Sequence, residues 1–272
     1  MNAQKLHKQL LVKPGRPVVL DKLDPSHTFG WEKTDAVAKR LVENTARIAE
    51  LQLRLFAENK RALLIILQGM DASGKDGTVR HVMSGLNPAS CQVTSFKVPT
   101  DEEIRHDYLW RVHHVVPARG EIGVFNRSHY EDVLVVRVRQ LVPKEIWKRR
   151  YDQINDFEQM LTENGVTILK FFLHIDKAEQ RDRLRARLVD PAKNWKITRS
   201  DLDVRRQWEA YQRAYDEALS RCSTKWAPWF VVPANKKWFR NLAVSEIVRA
   251  KLEELHPQFP KPLFDLTKIR IV

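Results

Sequence analysis

The feature that most constrains this chain is a glycine-containing loop that directly follows a short apolar run. Residues 63–67 are apolar at every position, which is typical of a parallel strand buried on both faces. Gly69, Gly74 and Lys75 follow in the spacing Gly-x-x-x-x-Gly-Lys, and a helix is predicted from about 75 to 85. Glycines let backbone N–H groups approach phosphate oxygens, and a helix N-terminus favours the same anion. The sequence therefore predicts a phosphate-binding loop of the Walker A kind at 69–78, rather than a turn without a ligand.

Strand and helix patterns alternate along the rest of the chain. This alternation predicts an α/β fold with a five-stranded parallel sheet flanked by helices, and together with the loop at 69–78 it predicts a P-loop fold. Ligands of such folds bind beyond the carboxyl ends of the strands. The predicted strands are 63–67, 93–96, 122–125, 166–175 and 230–232, and the main predicted helices are 34–59, 75–85, 101–114, 129–139, 143–163, about 177–188, about 200–220 and 238–255.

The chain is predicted to be a single domain over residues 1–272, because no low-complexity linker divides it. Residues 1–33 are predicted to form a basic arm whose first 30 residues are extended, since prolines interrupt them. Residues 178–215 are predicted to form the lid. The two cysteines are far apart in sequence, which argues against a disulfide framework and a zinc site, and no apolar stretch is long enough to cross a bilayer. A reducing cytoplasm is the expected location.

The charge of the chain favours an anionic partner. There are 47 Lys and Arg residues against 34 Asp and Glu residues, which gives a formal net charge of +13. Such an excess is typical of proteins that bind nucleic acid, an anionic membrane or a phosphate-rich substrate, although a basic surface without a partner is the alternative.

Two acids distinguish the loop from the usual motif. Asp76 replaces the Ser or Thr that normally follows the lysine and binds magnesium, and Asp71 lies inside the loop. A carboxylate among phosphates requires a bridging cation, so Asp71 is predicted to bind a metal, and the Thr78 hydroxyl is a candidate for the missing ligand. Lys75 carries the charge that follows the transferred group. The residues predicted to bind phosphates are Ala72, Ser73, Gly74, Lys75, Asp76 and Gly77.

The third predicted strand ends in a second polar segment. P-loop enzymes usually place a metal-binding Asp there, whereas this chain has Asn126 followed by Arg127. Arg127 is predicted to bind phosphate, and the metal is predicted to depend on Asp71 together with Glu131 or Asp132. The alternative for these two acids is a solvated helix start.

Basic residues follow the fourth strand. Arg183 and Arg187 share a helix face, and Lys193 and Lys196 come after the break at Asp190 and Pro191. We predict that these cations belong to a lid that excludes water and contacts phosphates, with Arg183 as a catalytic cation. A solvated cationic surface is the alternative.

With these segments in hand, the sequence resembles polyphosphate kinase family 2 across about 60–240. The matching stretches are residues 69–78, 95–100, 107–111, 125–134, 194–196 and 227–229. The resemblance implies a thymidylate-kinase-like fold and reversible transfer of the terminal phosphoryl group of inorganic polyphosphate to AMP or ADP, forming ADP or ATP. It also implies Mg²⁺, with Mn²⁺ as the alternative, and assembly into a homodimer or homotetramer.

The resemblance also assigns roles to residues. Asp71 and Lys75 belong to the loop site, Arg127 binds phosphate, and the lid cations handle the phosphate chain. Asn126 and Glu131 are similar to those of the subgroup, class III, that accepts both nucleoside mono- and diphosphates. The stretches 95–100 and 107–111 are implied to border the nucleotide. The individual residues implied to bind it are Lys97, Thr100, Asp107, Arg111, Asn126, Arg127 and Glu131.

Two other functions are compatible with parts of the sequence. An ATP-dependent nucleoside monophosphate kinase would share the fold and the loop. A nucleic-acid-binding P-loop protein would share the charge, but the chain has no recognisable nucleic-acid-binding motif, so neither nucleic acid nor membrane is an expected partner. The sequence leaves open the purine preference, the favoured direction and the preferred polyphosphate length.

Overall fold

A computed structural model describes residues 3–270 and contains a parallel sheet in the order β2-β3-β1-β4-β5. The order places β1 at the centre, between β3 and β4, and every pair of neighbours is parallel. The predicted five-stranded parallel sheet is confirmed, with small changes at strand ends. The strands are β1 Ala62–Gln68, β2 Cys91–Ser95, β3 Ile122–Asn126, β4 Val166–His174 and β5 Trp229–Pro233.

Helices connect the strands and cover both faces of the sheet. Right-handed crossovers place α3 on the face opposite α7, because the chain moves across the sheet in opposite directions through these two connections. Helix α11 packs against both α2 and α3, while α7 packs on β4. The α-helices are α1 Ala3–Leu10, α2 Asp35–Glu58, α3 Lys75–Val82, α4 Asp101–Ile104, α5 Trp110–His113, α6 Val135–Val138, α7 Lys144–Glu163, α8 Lys177–Val189, α9 Arg199–Arg206, α10 Trp208–Arg221 and α11 Lys237–Leu255.

Three predicted helices are shorter than expected because local turns interrupt them. The helix predicted over 101–114 is divided into α4 and α5, and in the turn between them the Asp107 carboxylate accepts a hydrogen bond from the Leu109 N–H. The helix predicted over 129–139 is a 3₁₀ turn, His129–Asp132, followed by α6. The helix predicted over about 200–220 is divided at Gln207 into α9 and α10.

The prediction of an extended N-terminal arm is wrong for its first part, where α1 forms. Leu6 and Leu10 lie four residues apart on one helix face, and both are buried. The chain then runs beside β5, where the Val12 N–H donates to the Trp229 carbonyl at 2.9 Å. This segment covers part of the edge strand β5, which would otherwise expose unpaired backbone groups. Residues 1 and 2 of the predicted arm lie outside the described residues.

A cluster of polar side chains is buried beneath the turn that follows β3. Lys170 of β4 donates to Glu158 of α7, to the Tyr130 hydroxyl at 2.8 Å and to the Cys222 carbonyl at 2.7 Å. Glu158 also accepts from Tyr130 at 2.9 Å and contacts His129 at 3.2 Å. All four side chains are essentially inaccessible to solvent. The cluster therefore fixes the turn to the sheet and to α7 from below.

Two observations bear on location. No helix within residues 3–270 has the length and hydropathy needed to cross a membrane. Cys91 and Cys222 are both free thiols.

Candidate active site

The phosphate-binding loop joins the end of β1 to the start of α3. Gly69 has a φ of +151°, and a Cβ atom there would lie 2.7 Å from the Leu173 carbonyl oxygen. A side chain would therefore collide with the neighbouring strand, so this position requires glycine. The loop ends at Gly74, which is the N-cap residue of α3. The structure confirms the predicted strand–loop–helix arrangement.

Lys75 is buried at the first position of α3 and folds back over the loop. Its ammonium group donates to the Gly69 carbonyl at 2.8 Å and to the Met70 carbonyl at 3.4 Å. Burial, and next the nearby charge of Arg127, lower the pKa of Lys75 to about 8. The fold thus holds the Lys75 ammonium group against the loop and makes it easier to deprotonate than an ordinary lysine. Thr78, predicted as a substitute metal ligand, instead donates its buried hydroxyl to the Gly74 carbonyl.

Each of the two loop acids is paired with one residue at the end of β3, either its last residue or the one directly after it. Asn126 donates from Nδ2 to the Asp76 carboxylate at 2.6 Å, and Arg127 donates to the Asp71 carboxylate at 2.7 Å. The other side of the Arg127 guanidinium lies 3.7 Å from Glu131. The charge of Glu131, and to a smaller extent that of Asp71, raises the pKa of Arg127. Arg127 therefore separates two carboxylates that would otherwise repel each other.

The backbone at Arg127 is strained. Its φ is +64°, in the left-handed region that non-glycine residues rarely occupy. Its N–H donates to the Leu67 carbonyl at 3.0 Å, and the next three residues are buried, two of them, His129 and Tyr130, as members of the Lys170–Glu158 cluster. Anchors on both sides thus hold a conformation that would cost energy in isolation.

The three acids predicted to bind metal do not converge. The Asp132 carboxylate accepts from Arg150 at 2.9 Å, whereas Asp71 and Glu131 both contact Arg127. The predicted metal role of Asp132 is therefore not supported by its position, because Arg150, on α7, draws its side chain into an ion pair. Within residues 3–270, no group of three or more His, Cys, Asp or Glu side chains could hold a metal by itself.

A cavity of about 590 Å³ lies beyond the carboxyl ends of β1, β2 and β3. Its lining combines the phosphate loop, the ends of two neighbouring strands and the segment after α8. The predicted residues that it brings together are Asp71, Ala72, Gly74, Lys75, Asp76, Gly77, Lys97, Asn126, Arg127, Arg187, Lys193 and Lys196. The cavity is also lined by Ser95, Phe96 and Val98, which belong to the stretch 95–100 that is implied to border the nucleotide, and by Trp195, Thr198 and Asp201, which we did not predict as site residues.

Thr100, Asp107 and Arg111, which are predicted to border the nucleotide, are not among the residues that line this cavity. Thr100 caps α4 in a reciprocal pair with Glu103, and Asp107 caps the turn before α5. Arg111 donates to the Lys97 carbonyl at 3.0 Å, and its guanidinium lies 5.3 Å from the Phe96 ring centre. Arg111 therefore supports the strand-end segment that lines the cavity without lining it itself.

The segment predicted as a lid covers the cavity with three cations. Arg187 extends from α8, and Lys193 and Lys196 lie in the 3₁₀ turn Pro191–Lys196. Arg187 donates to the Lys196 carbonyl at 3.1 Å, which ties the helix to the turn. Trp195 also lines the cavity although 75% of its surface is exposed. A tryptophan between two lysines is the sequence signal that could have identified Trp195 as a cavity residue.

Arg183 occupies a different place from the one predicted for a lid cation. Its guanidinium is bonded to the Ala72, Ser73, Ala234 and Asn235 carbonyls at 2.6 to 3.0 Å and to Glu179 at 2.7 Å. Arg183 itself does not line the cavity, although its partner Ala72 does. Arg183 therefore joins the phosphate loop to the end of β5. Ser73 is likewise buried behind the loop.

Glu131 lies beside the main cavity. A small cleft there is lined by Asp71, Arg127 and Glu131 together with residues of α10. Glu131 thus reaches the site through Arg127 rather than through direct contact with the larger cavity.

Comparison with known proteins identifies the family of this arrangement. A relative from Meiothermus ruber named AMP/ADP-polyphosphate phosphotransferase is 50% identical over 94% of this chain and 96% of its own length. A relative from Rhodopseudomonas palustris named ADP-polyphosphate phosphotransferase is 43% identical over 93% of this chain and 92% of its own length.

A solved structure shows the same fold. The crystal structure of polyphosphate kinase 2 from Arthrobacter aurescens TC1 superposes with a TM-score of 0.91 at 46% identity, covering 96% of this chain and 94% of the other. The family model of polyphosphate kinase 2 matches residues 32–260, which include the loop, the Asn126–Arg127 segment and the lid. The chain therefore belongs to the polyphosphate kinase 2 family.

Proposed function

We propose that this chain transfers the terminal phosphoryl group of inorganic polyphosphate to AMP and ADP, forming ADP and ATP. The observation that carries this proposal is the cavity itself, in which a phosphate-binding loop faces the lid cations Arg187, Lys193 and Lys196. A dense polyanion requires a series of cations rather than a shaped apolar pocket. The relatives named for AMP/ADP and ADP as acceptors support the same reaction here.

The two substrates would enter the cavity from different walls. The lid and the phosphate loop supply the cations for the phosphate chain, whereas Ser95, Phe96, Lys97 and Val98 form the wall that follows β2. We assign the nucleotide to that wall, where the exposed Val98 offers an apolar surface and Lys97 a charge for its phosphate. Transfer then depends on alignment of the two phosphates in line, with little covalent chemistry required of the protein.

The side chains at the loop have distinct parts in this reaction. Lys75 and Arg127 place positive charge where negative charge accumulates on the transferred group. The acceptor is an ionised phosphate oxygen, so no strong general base is needed. Arg183 holds the loop in place through its carbonyl contacts and is proposed here as a positioning residue.

Magnesium is part of the proposal. Asp71 and Asp76 both line the cavity beside Lys75, which gives oxygen donors of the kind that Mg²⁺ prefers. Mg²⁺ commonly binds through one or two carboxylates, with phosphate and water oxygens as its other ligands. Bound there, the ion, or Mn²⁺ in its place, would neutralise charge on the phosphates.

The decisive assay combines the protein with Mg²⁺, long-chain polyphosphate and either AMP or ADP, and measures ADP and ATP by chromatography. We expect ATP from ADP, and ADP followed by ATP from AMP. Absence of ATP from ADP would contradict the proposal. A reaction without polyphosphate, and a Lys75→Met variant purified in the same way, control for contaminating adenylate kinase.

The same assay separates the alternatives. An ATP-dependent nucleoside monophosphate kinase would convert ATP and AMP to ADP without polyphosphate, at a rate no lower than with it. A nucleic-acid-binding protein would bind DNA or RNA tightly and with strong salt dependence, without supporting transfer.

A paired substitution tests the lid. Lys193→Ala combined with Lys196→Ala should raise the KM for polyphosphate by about tenfold, because two attractive charges leave the cavity, while the nucleotide KM changes little. Lys177→Ala is the matched control, since Lys177 precedes the lid on α8 and pairs with Glu209 away from the cavity. Equal effects on both substrates would remove the assignment of the lid to polyphosphate.

We also propose that the chain acts as a homodimer or homotetramer in a reducing cytoplasm. The exposed apolar side chains of the segment after α11, Leu263, Phe264 and Leu266, support association between copies. The two free thiols support a reducing location. Analytical ultracentrifugation with and without residues 261–272 would test the first proposal, and fractionation of the source cells would test the second.

A further inference from the structure

The side of the phosphate loop that faces away from the cavity packs on Arg240 of α11. A Cβ atom at Gly74 would lie 1.8 Å from Arg240 Nη1, and a Cβ atom at Gly77 would lie 3.0 Å from Nη2. The guanidinium also donates to the Ser73 carbonyl at 3.4 Å. Arg240 is 3% exposed and is not among the residues that line the cavity. It therefore fills the space directly behind the loop.

The charge of Arg240 has no acidic partner among residues 3–270. Apart from Ser73, its donors go to the Asn241 side-chain oxygen at 3.1 and 2.8 Å. Arg183, the other guanidinium behind the loop, is paired with Glu179 at 2.7 Å. Burial, and next the charge of Arg183, lower the pKa of Arg240 to about 10. A buried cation without a counter-charge destabilises the fold that contains it.

A phosphate group in the loop would supply the missing negative charge. Gly74 and Gly77 line the cavity on one side and lie against Arg240 on the other. One layer of backbone therefore separates the guanidinium from the space in which the loop binds phosphate, so a bound phosphate and the guanidinium would interact at short range.

We infer that Arg240 is a positioning residue whose unpaired charge is balanced by the phosphate chain bound in the loop. This inference rests on the proposed function in one respect, namely that a phosphate chain occupies the loop. The inference goes beyond the proposed function because it assigns part of the binding affinity to a side chain that does not touch the ligand. The same charge keeps the free protein less stable than its packing alone would allow.

The first experiment measures polyphosphate binding and thermal unfolding of an Arg240→Met variant, without nucleotide. Methionine keeps much of the side-chain length and removes the charge. We expect the Kd for polyphosphate to rise by about tenfold, which is typical of losing one charge at short range in a protein. The unfolding temperature of the free protein should be unchanged or higher, and its increase on adding polyphosphate should be smaller than in the wild type.

Arg249→Met is the matched control. Arg249 lies on the same helix, and its substitution removes the same charge, but its guanidinium is 3.4 Å from Glu246, and it does not line the cavity. We expect its Kd for polyphosphate to stay within about twofold of the wild-type value. Arg240→Lys, which keeps the charge, should recover most of the affinity lost in Arg240→Met.

A second experiment tests the contact without substrate. Gly77 lies in α3, where alanine is normally the more stable residue, but its Cβ would press on the guanidinium. Gly77→Ala should therefore raise the unfolding temperature in the Arg240→Met background and fail to raise it in the wild type. Additive effects in this cycle would show that the contact does not exist.

The outcomes separate this inference from the proposed function. If the wild type binds polyphosphate and makes ATP but Arg240→Met binds equally well, the inference is wrong and the proposed function stands. A fall in unfolding temperature with an unchanged Kd would show that Arg240 only packs, which also overturns the inference. A wild-type protein that binds no polyphosphate would overturn both. Should Arg240→Met not fold, Arg240→Gln, which also removes the charge, gives the Kd comparison with Arg240→Lys.

Discussion

Asn126 donates a hydrogen bond to Asp76 at 2.6 Å and thereby joins the end of β3 to the start of α3. Each residue departs from the usual P-loop pattern, in which Ser or Thr follows the lysine and an Asp closes the neighbouring strand. The two departures compensate each other, because an amide can donate to the carboxylate whereas a second carboxylate would repel it. The carboxylate has moved from the strand end to the helix start.

Asn126→Asp should place a second carboxylate within hydrogen-bond distance of Asp76 and make activity depend more strongly on Mg²⁺. We expect kcat/KM at low Mg²⁺ to fall by about tenfold, with partial recovery at high Mg²⁺, because each anion disfavours the other. A Mg²⁺ titration of the transfer rate measures this. The double variant Asn126→Asp with Asp76→Ser restores the usual arrangement and should recover activity. If Asn126→Asp alone keeps the wild-type Mg²⁺ dependence, the interpretation that Asn126 and Asp76 compensate each other is wrong.

Lys75 should make anion binding depend on pH near 8. Burial and the charge of Arg127 lower the pKa of Lys75 to about 8 in the free protein, whereas a bound phosphate favours the charged form. Polyphosphate binding at pH 8.5 should therefore take up part of a proton, and affinity should fall as the pH rises above about 8. Calorimetry in two buffers of different ionisation enthalpy, with EDTA present, measures the uptake. Lys75→Met should show none.

The same pKa predicts how stability changes. Because the unfolded chain keeps the ordinary, higher lysine pKa, it binds more protons than the folded protein between about pH 8 and 10.5, so this group makes the free energy of unfolding rise with pH in that window. Urea unfolding at pH 8 and 9.5 should show the rise in the wild type and a smaller rise in Lys75→Met.

Arg127→Ala should leave Asp71 and Glu131 without the cation that separates them. We expect kcat to fall by about a hundredfold or more, as for removal of a group that stabilises transition-state charge. Arg127→Lys should retain part of the rate, because it keeps one charge but not the two-sided contact. Arg150→Met is the control, since Arg150 pairs with Asp132 outside the cavity. A similar loss of kcat in the control would return Asp132 to the candidate site.

Lys170→Met should destabilise the fold strongly. It leaves the Glu158 carboxylate buried without its cation, which typically costs about 3–5 kcal/mol. Adding Glu158→Gln removes the uncompensated charge and should recover more than half of the loss in urea unfolding. Losses that simply add would show that the two side chains do not act as a pair.

The sequence predicted those parts of the site that depend on local pattern. These parts are the unbroken apolar run of β1, the glycine spacing and Lys75, which all lie within about 15 residues of sequence. The structure confirms the strand, the loop and the helix that begins at Lys75. The partners of Asp132 and Arg183 could not be found in this way. Arg150 lies 18 residues from Asp132, and the carbonyls bound by Arg183 come from segments 51 to 111 residues away. Those pairings depend on the fold rather than on spacing.

The N-terminal arm and Arg240 show two further limits. The four-residue spacing of Leu6 and Leu10 is a helix signal, but the prolines that follow favoured an extended interpretation. Arg240 lies in a helix that is buried on most sides, where nothing in the sequence distinguishes a guanidinium behind the loop from one at the surface. Only the packing of α11 against α3 reveals its position.

The buried lysine of β4 also determines how the sheet is aligned. β4 is apolar on both faces, so burial alone does not distinguish its register from one displaced by a residue. Such a slip would turn Lys170 to the opposite face, away from Glu158, and would leave two charges unpaired in the interior. Lys170 thus selects one register of β4, and through its bond to the Tyr130 hydroxyl it holds the turn that carries Arg127 against that strand.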